Sequence, residues 1–83
     1  MLFEIKMPEV GPGVTEATIV NWRKEIGDPI QEKEILVEVM TEKVNMEVEC
    51  PVSGVVAEIL FPKEVAVRVN EVIAKVKMNH ASA

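Results

Sequence analysis

Slid against itself by 37 residues, the chain matches its own apolar pattern, and no other feature limits the fold as strongly. Ile30-Gln31-Glu32-Lys33-Glu34-Ile35-Leu36-Val37-Glu38-Val39 lies over Val67-Arg68-Val69-Asn70-Glu71-Val72-Ile73-Ala74-Lys75-Val76. Upstream, Ile19 and Trp22 lie over Val56 and Ile59 without a gap. Apolar positions coincide while polar ones drift, so the repeat records a core and not a surface. A half-domain of about four short strands cannot bury its own apolar face, and two halves must therefore pack together. The repeat predicts two small sheets related by an approximate two-fold axis.

Residue types and punctuation agree with strands. There are 15 Val and 7 Ile against 2 Phe, 1 Trp and no Tyr. Such β-branched side chains pack well on a pleated surface. Short apolar runs are separated at Pro8, Gly11-Pro12-Gly13, Gly27-Asp28-Pro29, Pro51 to Gly54 and Pro62. Regular short strands with turns between them indicate an all-β sandwich or barrel. Residues 1–78 form one domain, and the unpatterned residues 79–83 read as the start of a linker.

The formal net charge is −5, so the electrostatic footprint of a nucleic-acid binder is missing. No apolar run approaches the ~20 residues of a spanning helix, and no secretory leader pattern is present. A soluble, intracellular, monomeric domain without a membrane or nucleic-acid partner is the expectation. Cys50 is the only cysteine, which excludes an intrachain disulfide. It stands in phase with Val44, Met46 and Val48, as a buried, inert thiol would.

Chemistry enters at the link between two strand-like runs, Ile35 to Met40 and Val44 to Cys50. A tight hairpin usually carries Asn-Gly or Asp-Gly, because the favoured two-residue turns need positive φ. Here the tip is Thr41-Glu42-Lys43, without glycine. Lys43 has three readings. It is an ordinary solvated turn lysine, a catalytic amine, or an attachment point acylated by a separate enzyme. The catalytic reading lacks a neighbouring cation or an apolar pocket to deprotonate the amine. An attachment site should be exposed, rigidly held and flanked by residues that an enzyme can read, and a hairpin apex meets those demands.

The sequence resembles the lipoyl domains of the dihydrolipoamide acyltransferase components of 2-oxo acid dehydrogenase complexes. The resemblance covers residues 4–78. "MPEVGPGVTEATIVNW" matches the family's opening stretch, Gly27-Asp28 its Gly-Asp turn, and Met40-Thr41-Glu42-Lys43-Val44 its Glu-Thr-Asp-Lys-Ala signature. "MEVECPVSGVVAEIL" matches the strand, Pro-x-x-Gly turn and strand that follow. The resemblance implies a flattened β-barrel or sandwich of two four-stranded sheets with quasi-two-fold symmetry, in agreement with the repeat. It also departs from the family in places. Glu42 replaces Asp, Pro12 stands where many members have Glu, and Glu64-Val65 lacks the second Gly-Asp turn, leaving that loop undefined.

By the same resemblance, Lys43 carries lipoic acid in amide linkage and the domain is a carrier without catalytic residues of its own. Its implied partners are a lipoate-attaching enzyme, a thiamine-diphosphate-dependent 2-oxo acid decarboxylase, an acyltransferase core with coenzyme A, and dihydrolipoamide dehydrogenase. Thr41, Glu42 and Val44 would be read by the attaching enzyme. The loop Glu9, Val10, Gly11, Pro12, Gly13, Val14 and Thr15 would be read by the decarboxylase. "EVMTEKVN" leans toward bacterial branched-chain components, and the implied compartment is bacterial cytoplasm or mitochondrial matrix. Biotin carrier domains share the fold, but their lysine is flanked by methionines, whereas Met40 and Met46 here lie three residues away. An unmodified barrel-sandwich interaction module is the remaining alternative.

Overall fold

The repeat appears in the backbone as two interleaved halves. A computed structural model describes residues 2–78, so the expected linker at 79–83 lies outside the described residues. Eight strands follow in order: β1 (Leu2–Lys6), β2 (Glu16–Trp22), β3 (Pro29–Ile30), β4 (Ile35–Met40), β5 (Asn45–Glu49), β6 (Gly54–Ile59), β7 (Ala66–Arg68) and β8 (Val72–Met78). They form two four-stranded sheets, ordered β1-β8-β6-β3 and β5-β4-β2-β7, with every pairing antiparallel. The 37-residue shift carries β2, β3 and β4 onto β6, β7 and β8, and so carries one sheet onto the other. The expected two-sheet arrangement is therefore present.

Hydrogen bonds obey the same symmetry. Gly27 N–H donates to the Val56 carbonyl and Glu64 N–H to the Ile19 carbonyl; Arg23 N–H donates to Leu36 and Leu60 N–H to Ile73. Each second bond is the first one moved by the repeat. β4 and β8 also share a burial pattern in which two consecutive residues, Leu36-Val37 and Ile73-Ala74, face the core. Strict alternation forbids that. Register shifts beside these pairs, at Ile35/Val37 and at Ile5/Lys6, show bulges absorbing the extra residue.

The core between the sheets holds Ile5, Met7, Ile19, Ile30, Leu36, Val39, Val48, Val56, Val67, Ile73 and Val76 among others. Cys50 belongs to it, fully buried, as its phase predicts. Its Sγ donates to the Val52 carbonyl at 3.1 Å, and burial pushes the thiol above its usual pKa. Trp22 lies at the core's edge and donates from Nε1 to the Phe61 carbonyl at 2.9 Å, tying the end of β2 to the loop after β6.

The loop lacking a second Gly-Asp turn now has a defined shape. Glu64 adopts φ 71°, the left-handed conformation that its repeat partner Gly27 adopts at φ 96°. Lys33 and Asn70, another repeat pair, do likewise at φ 73° and 77°. A left-handed non-glycine residue costs about 1–2 kcal/mol, while glycine's greater freedom when unfolded costs about 0.5–1 kcal/mol. Relief should exceed the penalty. Glu64→Gly is expected to stabilise the domain by about 0.5–1 kcal/mol, raising Tm by roughly 3–6 °C for a chain of this size. Thermal unfolding followed by circular dichroism checks this, and a lowered Tm would contradict the symmetry argument.

Candidate functional site

Among the described residues, only one of the strand pairings joins strands consecutive in the chain, the β4–β5 hairpin. Every other connection crosses between the sheets. The symmetry operation that relates the sheets places the counterpart of this hairpin between the end of β8 and the start of β1. That position falls outside the described residues. Lys43 is carried at the apex of the only hairpin among the described residues.

The four-residue connection Cys50–Ser53 leads from the β5 end remote from Lys43 to Gly54, and Gly54 pairs with Met78. Leu2 pairs with Lys77 beside it. The first and last strands thus meet at the pole opposite Lys43. One pole presents the lysine, and the other leads to whatever flanks the domain.

The turn differs in detail from the sequence reading. β5 begins at Asn45 and ends at Glu49, so Val44 belongs to the turn and Cys50 to the loop after the strand. Val44 is 45% exposed although it shares the phase of Met46, Val48 and Cys50. At the tip the opposing sheet has ended, and nothing covers it. Met40 pairs with Asn45 across the base. Thr41 N–H donates to the Val44 carbonyl at 2.8 Å. Thr41 Oγ1 accepts from Lys43 N–H and from Val44 N–H, each at 3.2 Å. Neither Glu42 nor Lys43 has positive φ. The missing glycine is thereby explained: a threonine hydroxyl organises a turn that needs no left-handed residue.

Glu42 and Lys43 are exposed, and among the described residues Lys43 takes part in no ion pair. Arg23 is paired with Glu38 and Glu47, and Lys24 with Glu34, so these lysine and arginine groups are engaged elsewhere. On one flank of Lys43 lies an open hollow of about 570 Å³ lined by Pro12–Thr15, Glu16–Thr18 and Met40–Lys43. The predicted loop and the predicted lysine turn are thus brought together, although they are far apart in the sequence. Pro12 and Gly13 occupy the centre of a turn closed by Val14 N–H to the Gly11 carbonyl at 3.2 Å. With Gly13 at φ 76°, this is the pattern of a type II turn, which favours Pro followed by Gly.

Not every predicted recognition residue reaches this hollow. Glu9 and Gly11 line a neighbouring one with Pro12–Thr15, and Val10 packs partly buried against the core. Val44 lines neither. Conversely, Thr18 and Met40 were not anticipated, and their mutual register in β2–β4 places them here. The described residues contain no cluster of metal-ligating side chains and no helix long and apolar enough to cross a membrane.

Residues 3–76 match the biotin/lipoyl family, described as biotin-requiring enzyme. The chain is 42% identical over 80 residues to the dihydrolipoyllysine-residue acetyltransferase component of the pyruvate dehydrogenase complex of Corynebacterium glutamicum. That alignment covers 96% of this chain and 12% of the relative. The same component from Staphylococcus epidermidis is 40% identical over 76 residues, covering 92% of this chain and 18% of the relative. The chain therefore spans less than a fifth of these curated relatives.

Among solved structures, the lipoyl domain of the 2-oxoglutarate dehydrogenase complex of Azotobacter vinelandii superposes with a TM-score of 0.73 at 31% identity. It covers 89% of this chain and 94% of that one. Urea carboxylase of Kluyveromyces lactis shares the fold at 20% identity and a TM-score of 0.69, over 90% of this chain and 7% of that one. Matched along nearly its whole length in sequence and in fold, the chain belongs to the biotin/lipoyl-attachment family and is a lipoyl domain.

Proposed function

We propose that Lys43 bears lipoic acid in amide linkage and that the domain delivers it to the successive active sites of a 2-oxo acid dehydrogenase complex. One observation supports the assignment above the rest: the only hairpin among the described residues presents an exposed lysine without an ion pair at its apex. That amine is open to acylation, and the adjoining hollow leaves space around it.

Lipoic acid, once bound, supplies a dithiolane that accepts an acyl group together with two electrons. The chain's own residues present it and are read by partners. Lys43 extends the arm from the tip. Glu42 and Val44, both exposed, flank it where an attaching enzyme would read them. The Pro12–Thr15 loop stands beside it, suited to recognition by the decarboxylase that loads the arm. With its terminal strands at the opposite pole, the domain can be tethered without obstructing Lys43. Tethering replaces free diffusion by an effective concentration of about millimolar for a short flexible linker. The remaining partners in this reading are the coenzyme A-dependent acyltransferase core and the flavoprotein that reoxidises the dithiol.

Biotin is the family's other cargo. Lys43 lacks the paired adjacent methionines of the biotin carriers, and this favours lipoate. The pyruvate-complex relatives and the branched-chain lean of the tip sequence nominate different 2-oxo acids. Intact mass of the domain produced in cells supplied with both biotin and lipoate tests the cargo. One lipoyl increment is expected, and a biotinyl increment would overturn the reading. Reductive acylation assayed with pyruvate and with branched-chain decarboxylases then assigns the complex.

A further inference from the structure

We propose that Thr41 is a positioning residue for the attachment reaction, its hydroxyl building the turn that aims Lys43 at the attaching enzyme. This rests on the lipoyl reading of Lys43 and changes the role of Thr41 from a surface that is read to a device that holds the tip. Two-residue hairpin links in the favoured types have positive φ at one or both central residues, matching the twist of the strands. Glu42 and Lys43 adopt neither such conformation. The alternative link splays the strands, so side-chain bonds that hold it add to its stability.

Thr41 supplies those bonds. Its Oγ1 accepts two backbone N–H groups, from Lys43 and Val44, at 3.2 Å each. The same hydroxyl lies 3.4 Å from the Val44 carbonyl, to which it donates weakly. Serine, threonine and asparagine side chains commonly replace backbone acceptors in this way. Thr41 is half-buried, whereas Glu42, Lys43 and Val44 are exposed, so its side chain serves the turn while its neighbours face outward. The hydroxyl does not contact the amine that reacts. It fixes the backbone nitrogen of that residue, and misplacement of a reacting group by about 1 Å suffices to impair reaction.

The test compares Thr41→Val, which keeps the shape, with Thr41→Ser and Thr41→Asn, which keep an oxygen acceptor. Initial rates are measured with a lipoate-attaching enzyme, lipoate and ATP at limiting domain, alongside amide exchange at Lys43 and Val44. Thr41→Val is expected to exchange both amides about fivefold faster and to be lipoylated about fivefold more slowly, the scale of a lost capping bond. Its Tm should fall by no more than about 8 °C. Serine and asparagine should restore both readouts. Normal lipoylation of Thr41→Val would overturn the proposal. So would slow lipoylation of Thr41→Asn with protected amides, since the enzyme would then be reading threonine itself. A Thr41→Val protein that does not fold would also overturn it, by showing that the hydroxyl holds the domain and not the tip. Absence of lipoyl from wild-type Lys43 is a separate failure, that of the lipoyl reading.

Discussion

Lys43→Arg is expected to abolish lipoylation completely while leaving Tm within about 2 °C of the wild type, because an exposed turn residue contributes little to folding. Arginine keeps the positive charge but offers no amine for an amide bond. Six other lysines remain, and none is displayed as Lys43 is. Lys6, Lys75 and Lys77 lie on strands, Lys24 is paired with Glu34 at 2.8 Å, and Lys33 and Lys63 stand in loops that cross between sheets. Amide formation removes one positive charge, taking the formal net charge from −5 to −6. Native electrophoresis should therefore separate lipoylated wild type as the more acidic band, with Lys43→Arg giving only the slower one. Lipoyl recovered on another lysine of the variant would show that hairpin display does not select the site.

Much of the fold was legible because burial repeats in sequence. The 37-residue shift located Leu36 over Ile73 and Val39 over Val76, all of them core residues. Less legible were the pairings, since five of the six strand pairs join strands distant in the chain. A lone sequence records how often a strand faces the core but not which neighbour it meets. Thr18 and Met40 were missed at the site for that reason. Left-handed Glu64 was missed for another: its conformation is imposed by a bond to Ile19 across the sandwich, against its own preference. The repeat contained the clue, because Gly27 occupies the equivalent position. The motif pointed to Lys43 as the proposed attachment point, whereas the role proposed for Thr41 required atoms, since a hydroxyl bonded inward and one offered outward read alike in one-letter code.

Gly54→Ala should be among the most damaging of single-methyl additions to this domain, and its effect should stay at one pole. Gly54 opens β6, an interior strand paired to Ile30 on one side and Met78 on the other. A Cβ placed there would stand 2.1 Å from the Lys77 carbonyl oxygen and 2.9 Å from its carbon. Backbone atoms of a paired strand cannot rotate away as a side-chain end can, so β6 and β8 must separate locally. The expected cost is about 3 kcal/mol, at the upper end for overpacking, which lowers Tm by roughly 12–24 °C. Gly13→Ala supplies the comparison. Gly13 has φ 76° but nothing within 4 Å of an added Cβ, so only left-handed strain of about 1 kcal/mol applies. Thermal unfolding of the two variants should rank them clearly, and equal losses would refute the steric argument. Because Gly54 lies at the pole away from Lys43, folded Gly54→Ala protein assayed well below its Tm should be lipoylated at close to the wild-type rate. A damaged pole would then leave the presented lysine untouched, as expected if one end of the sandwich displays and the other anchors.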